Sequence, residues 1–365
     1  MAEVVVDGAR VLLRDGADEV ALPALWLRQY SAEPSELDGI TGQRLFDPHL
    51  LPVDLAITSA GVDGGVLTVT FSDGHTSTYA EERVAALRRL DDGVPAPVAW
   101  RAGDGIPAVH PWTALDDPGS ELAVLHDFLV HGTVVLDGLP TEPGTILTAA
   151  RRLGFVRETN FGALFDVRSV PDSTDLAYRA VPLSAHTDNP YRVPVPGIQL
   201  LHCLVNETSG GLSSLVDGLA AAEILRGEDP VGFDLLATVP VRFTYRDAGT
   251  EIVAVLPVIG LDRDGAVTGL SYSPRLDEVP LLPDDDLRRY QAARRRLSEL
   301  LASPELAVEF LLQPGQLMVF DNNRVLHGRT SFDPNEGLRH LQGCYIDSDG
   351  PRTRYRVLSR TGGAR

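Results

Sequence analysis

With 365 residues, 44% of them hydrophobic and 23% charged, the chain has the composition of an ordinary globular protein and room for one large domain or a large and a small one. Its formal net charge of −19 argues against nucleic acid and anionic membranes as partners, because both ask for a basic face. No apolar run approaches the roughly 18–20 residues that span a bilayer, and the opening MAEVVVDGAR is too polar for a signal peptide, so a cytoplasmic location is expected, with Cys203 and Cys344 buried and free.

Short strands are expected first, at Val4–Val6, Arg10–Leu13, Val20–Leu22, Val66–Phe71 and Thr76–Tyr79. Hairpin turns fit Asp7-Gly8 and Asp73-Gly74, and a short helix fits within Pro23–Tyr30. Asp91–Pro111 is rich in Pro, Gly and Asp and is the best linker candidate. A helix follows at Pro118–His131, a strand at Thr133–Leu136 and a second helix over Glu142–Leu153. Gly197–Leu204 is a continuous apolar run bounded by turn residues, the pattern of a buried strand. Asp284–Ala302 is the clearest helix: aspartates open it, where the helix dipole favours negative charge, and arginines follow. Gln316–Phe320 and His340–Ile346 read as strands. Many short strands with few helices predict a mostly β protein with flanking helices, built as a barrel or a double-sheet jelly roll.

The motif that carries chemistry is His186-Thr187-Asp188. On a strand, residues i and i+2 project to one face, which lets the imidazole and the carboxylate reach one metal ion. Two histidines and one carboxylate suit Fe(II) and leave positions open for a keto acid and dioxygen. The third ligand is expected at His327, which follows an apolar strand and precedes Gly328-Arg329. Arg339, twelve residues further on, is a planar donor able to clamp the far carboxylate of a keto acid. A lone His-x-Asp is most often accidental; the later His-Gly-Arg and arginine, in this order, raise it to a candidate site.

Four stretches carry a family resemblance: Leu183–Cys203 (LSAHTDNPYRVPVPGIQLLHC), Gly210–Gly218 (GGLSSLVDG), Pro314–Arg329 (PGQLMVFDNNRVLHGR) and Arg339–Tyr345 (RHLQGCY). Through them the chain resembles the γ-butyrobetaine and trimethyllysine hydroxylases of the taurine dioxygenase-like group, over nearly its whole length. The resemblance implies a double-stranded β-helix catalytic domain at 96–365 behind a small N-terminal α+β domain at 1–95. It implies Fe(II) on His186, Asp188 and His327, with 2-oxoglutarate and dioxygen as cosubstrates. Arg339 and Ser213 would hold the 2-oxoglutarate and Leu201 would line its site. A homodimer is also implied. Related halogenases lack the carboxylate, so Asp188 points to hydroxylation, or another oxidation such as desaturation or demethylation, over halogenation.

For the substrate, the resemblance places Phe161, Phe165 and Tyr345 at the positions of an aromatic cage that holds a trimethylammonium group by cation–π attraction. Tyr178 matches a tyrosine at the substrate's acidic end. Asp175 stands near a position where relatives have asparagine, and it would repel a substrate carboxylate unless Arg179, Arg192 or Arg275 pairs with it. Arg275, in Tyr272-Ser273-Pro274-Arg275, could accept a carboxylate or a phosphonate. The expected function is therefore hydroxylation of an unactivated C–H bond in a small zwitterionic or quaternary-ammonium molecule. A trimethylaminoalkyl phosphonate, an amino acid or a secondary metabolite are the alternative substrates. Outside this class stand a zinc hydrolase with the same three ligands and a non-catalytic double-sheet binding protein.

The opening region resembles the family's small N-terminal domain through Leu25-Trp26-Leu27-Arg28, Gln43-Arg44-Leu45-Phe46-Asp47 and Asp73-Gly74-His75. Several relatives bind a structural zinc there with three cysteines and a histidine. This chain has His75 but Ser31, Glu33 and Glu36 at the aligned cysteine positions, and no cysteine before Cys203. No structural zinc is expected, and the domain must hold by packing. His202 and His340, on strands beside the site, are expected to pack or support and not to bind metal.

Overall fold

Alternating apolar residues organise the first part of the chain into two antiparallel sheets. One contains β1 (Glu3–Val6), β2 (Arg10–Asp15) and β3 (Asp18–Pro23), which leads directly into helix α1 (Ala24–Gln29). The other contains β4 (Ile57–Asp63), β5 (Val66–Phe71) and β6 (Thr76–Ala80), followed by α2 (Glu81–Arg88). In β5 the side chains of Leu67, Val69 and Phe71 turn inward and meet Val11, Leu22, Leu27 and Tyr79 in one core, as strand alternation requires. The computed structural model describes residues 3–15, 18–89, 91–168, 182–333 and 335–362, and the chain divides into two units, Met1–Asp92 and Gly93–Arg365.

The second unit begins inside the stretch expected as a linker. Residues from Val98 onward are built into it: Trp100 is 2% exposed, its backbone N–H donates to Asp217 Oδ2 (3.0 Å) and its indole N–H to the His131 carbonyl (2.7 Å). The segment ends in a strand, β7 (Ala108–Pro111), parallel to β8. Proline and glycine there shape an ordered, packed path.

The following elements are α3 (Pro118–His131), β8 (Thr133–Asp137), α4 (Thr145–Leu153), β9 (Phe165–Arg168), β10 (Leu183–His186), β11 (Ile198–Asn206) and β12 (Ser213–Asp217). Then come α5 (Gly218–Glu228), α6 (Pro230–Thr238), β13 (Val241–Arg246), β14 (Glu251–Leu256), β15 (Ile259–Leu261), β16 (Val267–Leu270), β17 (Asp277–Glu278) and α7 (Asp284–Leu301). The chain closes with β18 (Val308–Phe310), β19 (Leu317–Asp321), β20 (Val325–Arg329), β21 (Arg339–Ile346) and α8 (Asp349–Gly362). Helix α3 shows why the sequence reads well here. Asp117 accepts from the Ser120 N–H, Pro118 occupies the first turn, and Gly132 ends the helix at φ 75, in the left-handed region.

Two sheets face each other. The larger has the order β7-β8-β19-β11-β21-β9 and the smaller β10-β20-β12-β18. Leu201, Cys203, Met318, Phe320 and Leu341 from the larger sheet meet Leu215 and Val325 from the smaller in the core between them. The outer face of the larger sheet is covered by α3, α4 and α8. The outer face of the smaller, with Val216 and Leu326, packs on α5, α6, α7 and the strands around Phe243 and Leu270. This layering covers both faces of β11, which explains why Ile198 to Leu204 are all buried, Gln199 and His202 included. Among the described residues no helix is long and apolar enough to cross a membrane.

Candidate metal centre and anion pocket

His186 is the last residue of β10 and His327 the third of β20; they stand directly opposite each other in the antiparallel register. That pairing brings their rings to 4.4 Å between centroids. The His186 Nδ1 lies 2.9 Å from the Ser184 carbonyl oxygen. A carbonyl can only accept, so Nδ1 carries a proton, and Nε2 is the ring nitrogen turned toward Asp188.

Asp188 is placed differently from the strand geometry expected for His-x-Asp. β10 ends at His186, and Asp188 sits in the turn beyond, next to Asn189 at φ 54. Its backbone is held by one side chain: Asp188 N–H donates to Asn322 Oδ1 (2.7 Å), and Asn322 Nδ2 donates to the Asp188 carbonyl (2.9 Å) and the Pro196 carbonyl (3.0 Å). The Thr187 N–H donates to the Tyr272 carbonyl (2.8 Å). A clamp from β19–β20 and the 270s segment therefore does what a strand was expected to do. Asp188 Oδ1 lies 3.4 Å from His186 Nε2, Oδ2 lies 3.9 Å from His327 Nε2, and the Tyr345 hydroxyl donates to Oδ2 (2.8 Å).

Ligand atoms of His186, Asp188 and His327 all lie within 4.8 Å of one another, and among the described residues this is the one group of His, Cys, Asp or Glu side chains so arranged. Burial opposes ionising Asp188, but the two imidazoles and the Tyr345 hydroxyl outweigh it and hold the carboxyl well below the usual range. Burial, then the neighbouring His186 and, more weakly, the charge of Arg275, bring His327 down to about 3, so the ring is neutral. One carboxylate with two imidazoles is a donor set that fits Fe(II) and leaves the remaining positions to other ligands.

Arg339, the first residue of β21, is 4% exposed; its Nη2 donates to the Gly211 carbonyl (3.3 Å) and its guanidinium lies 5.8 Å from the Phe332 ring centroid. Its Nε has no partner among the described residues. Arg329 lies over the same ring at 5.0 Å, and burial followed by the charge of Arg339 lowers it to about 10. Both guanidinium groups thus lie against the Phe332 ring, and the Arg339 Nε–H, unpartnered among the described residues, is a donor suited to an anion. Ser213, opposite Arg329 in the register, and Leu201, opposite Gly343, are both buried on neighbouring strands.

The aromatic residues fall into two contacts. Phe165 and Tyr345 lie 5.5 Å apart, while Phe161 meets Tyr245 edge-on at 5.7 Å and Tyr245 stacks on Tyr191 at 5.1 Å. Tyr191 and Tyr245 were missed from sequence; Tyr245 lies on a strand with no motif. Arg275 is exposed, and Arg192 donates to Asn160. Asp175, Tyr178 and Arg179 lie outside the described residues. His202 shares the β11 face of Ile198 and Leu200, away from Leu201, and burial lowers it to about 4. His340 Nε2 bonds Asp166 Oδ1 (2.7 Å).

The chain is similar to several known proteins. The family model described as "Taurine catabolism dioxygenase TauD, TfdA family" matches residues 101–345. Gamma-butyrobetaine dioxygenase of Pseudomonas sp. (strain AK-1) is 37% identical over 92% of this chain and 90% of its own. The mitochondrial trimethyllysine dioxygenase of Rattus norvegicus is 29% identical over 92% of this chain and 82% of its own. A crystal structure of a putative alpha-ketoglutarate-dependent taurine dioxygenase from Burkholderia xenovorans superimposes with a TM-score of 0.50 at 16% identity, covering 70% of this chain and 94% of that one, and so shares the jelly-roll fold. The chain belongs to the taurine catabolism dioxygenase family and is a 2-oxoglutarate-dependent dioxygenase.

Proposed function

We propose that this dioxygenase hydroxylates an unactivated C–H bond of a small zwitterionic or quaternary-ammonium substrate, with γ-butyrobetaine the first compound to test. The observation that carries the reading is the ligand cluster of His186, Asp188 and His327 with the aromatic rings of Phe165 and Tyr345 beside it, since the Tyr345 hydroxyl reaches Asp188. An aromatic face attracts a quaternary ammonium group by cation–π interaction. The 37% identity to a gamma-butyrobetaine dioxygenase over most of both chains supports the same substrate class.

In this proposal His186, Asp188 and His327 hold Fe(II), Arg339 pairs with the far carboxylate of 2-oxoglutarate, and Ser213 and Leu201 line its seat. Bound iron, with 2-oxoglutarate and dioxygen, supplies the oxidant for the C–H bond and leaves succinate and carbon dioxide as co-products. The chain's own work is positioning and exclusion of water. Ser184 sets the His186 tautomer, Asn322 fixes the Asp188 backbone, and the apolar core between the sheets keeps the pocket dry. Phe161, Phe165 and Tyr345 are assigned to the cationic end of the substrate, and Asp175, Tyr178 and Arg275 to its polar end.

Unit Met1–Asp92 is assigned as the small N-terminal domain of this family, and the family resemblance supports a homodimer. Succinate release is expected with γ-butyrobetaine in the presence of Fe(II) and 2-oxoglutarate, and its loss is expected in His186→Ala and Asp188→Ala. Trimethylaminoalkyl phosphonates and amino acids belong in the same screen. Turnover of those alone would move the substrate assignment, and full turnover by Asp188→Ala would refute the metal assignment.

A further inference from the structure

Tyr345 belongs to the larger sheet and Asp188 to the turn after β10 of the smaller one, 157 residues away in sequence, yet the phenol donates to the carboxylate at 2.8 Å. Asp188 has little freedom elsewhere, because Asn322 holds both its N–H and its carbonyl. What remains is rotation of the side chain, and its two oxygens face different histidines, Oδ1 toward His186 (3.4 Å) and Oδ2 toward His327 (3.9 Å). Tyr345 is 4% exposed, its strand is bonded on both sides, and its carbonyl accepts from the Arg157 N–H (2.9 Å), so the hydroxyl cannot follow a carboxylate that turns away.

We propose that the Tyr345 hydroxyl is the positioning group of the metal carboxylate, setting the rotation of Asp188 before the metal arrives, while the ring of the same residue serves as a wall of the substrate pocket. This rests on the reading of His186, Asp188 and His327 as the metal centre. The physical reason is preorganisation. A carboxylate already oriented loses less rotational freedom on binding an ion, and partners that orient a ligand commonly carry tenfold or more of metal affinity. The two roles separate chemically. The hydroxyl acts on Asp188, whereas the ring acts through its face and its contact with Phe165.

The test is calorimetric titration of Mn(II), a redox-inert stand-in for Fe(II), into the full chain without substrate, comparing the parent, Tyr345→Phe and Phe165→Leu. Tyr345→Phe keeps the ring and loses the hydroxyl, and is expected to weaken Mn(II) binding by about tenfold or more while the metal-free melting midpoint stays near that of the parent. Phe165→Leu loosens the same wall without touching the hydroxyl and is expected to bind Mn(II) as the parent does. Parent-like affinity in Tyr345→Phe overturns the proposal. So does an equal loss in both variants, which would mark a packing effect. If the parent itself fails to bind Mn(II), the metal-centre reading falls, and the proposal with it.

Discussion

Arg339 has a carbonyl and an aromatic face for neighbours but no carboxylate partner among the described residues, in a pocket it shares with Arg329. A guanidinium offers a planar fork that lysine lacks, so Arg339→Lys preserves the charge and loses the two-point contact. Hydrogen bonds to charged groups contribute about 1.5–3 kcal/mol, and KM for 2-oxoglutarate is expected to rise roughly tenfold to a hundredfold with Mn(II) affinity unchanged; steady-state kinetics over 2-oxoglutarate concentration checks this. Gly343 is the second residue to single out. A Cβ there would clash with Cε2 and Cζ of Phe165 and press on Leu201 Cδ2 at 3.1 Å. Gly343→Ala is expected to push the Phe165 ring from its seat, raise KM for the substrate severalfold and cost about 1–3 kcal/mol of stability from overpacking. Urea unfolding and substrate kinetics read the two effects separately. Nothing in the sequence marks Gly343, because the reason for it is a ring brought across from β9.

Among the elements, the turn between β19 and β20 ties the site to the rest of its unit. Arg324, in that turn, donates to Asp217 at 3.1 and 2.9 Å and to the carbonyls of Val130 and Val98. Asp217 is fully buried and also caps α5 through the Leu219 N–H (3.1 Å). A single ion pair thus joins β12, the end of α3, the segment before β7 and the strand carrying His327. Removing one partner of such a pair leaves a buried charge uncompensated, so Arg324→Met is expected to destabilise the protein by about 3–5 kcal/mol. Replacing both, Asp217→Asn with Arg324→Met, is expected to recover part of that loss in chemical denaturation. The strands and helices with strong local patterns were legible: α3, α7, β11 and β5 appear where capping, charge placement and apolar periodicity predict them. Elements with weaker local signals were not. β12 is a short strand beginning with two serines, and β13 to β17 are short strands whose inward faces are chosen by α5, α6 and α7. Asp91–Pro111 misled for the opposite reason, since its proline and glycine content hid a tryptophan that is buried only when Asp217 and His131 come to meet it.

At the scale of the molecule, the two units differ in what their polar residues do. In the first, where no thiolate is available, Arg28 is buried and donates to Glu36 (2.8 and 2.7 Å) and to Asp73 (2.9 Å), and His75 Nε2 lies 3.0 Å from Glu36 and 3.2 Å from the Ser31 hydroxyl. Burial opposes ionising Asp73, but the His75 N–H and the Arg28 guanidinium outweigh it and hold its carboxyl below the usual range. A carboxyl depressed in the folded state stabilises fully above its unfolded pKa and loses that stabilisation as pH falls through the folded one. Acid titration is therefore expected to weaken the first unit below the normal carboxylate range, with Asp73→Asn flattening that part of the profile; circular dichroism melts from neutral to acid pH check it. The sequence by itself determined the reaction class. His186, Asp188, His327 and Arg339 are legible as a candidate metal and anion site because that chemistry lies in residue type, order and spacing. Only the tertiary structure decided how the site is assembled. Asp188 is set by Asn322 at a separation of 134 residues and by Tyr345 at 157, and Tyr245 joins Phe161 and Tyr191 from another sheet. Such contacts are made by strands meeting in space, and they leave no period in the chain from which they could be read.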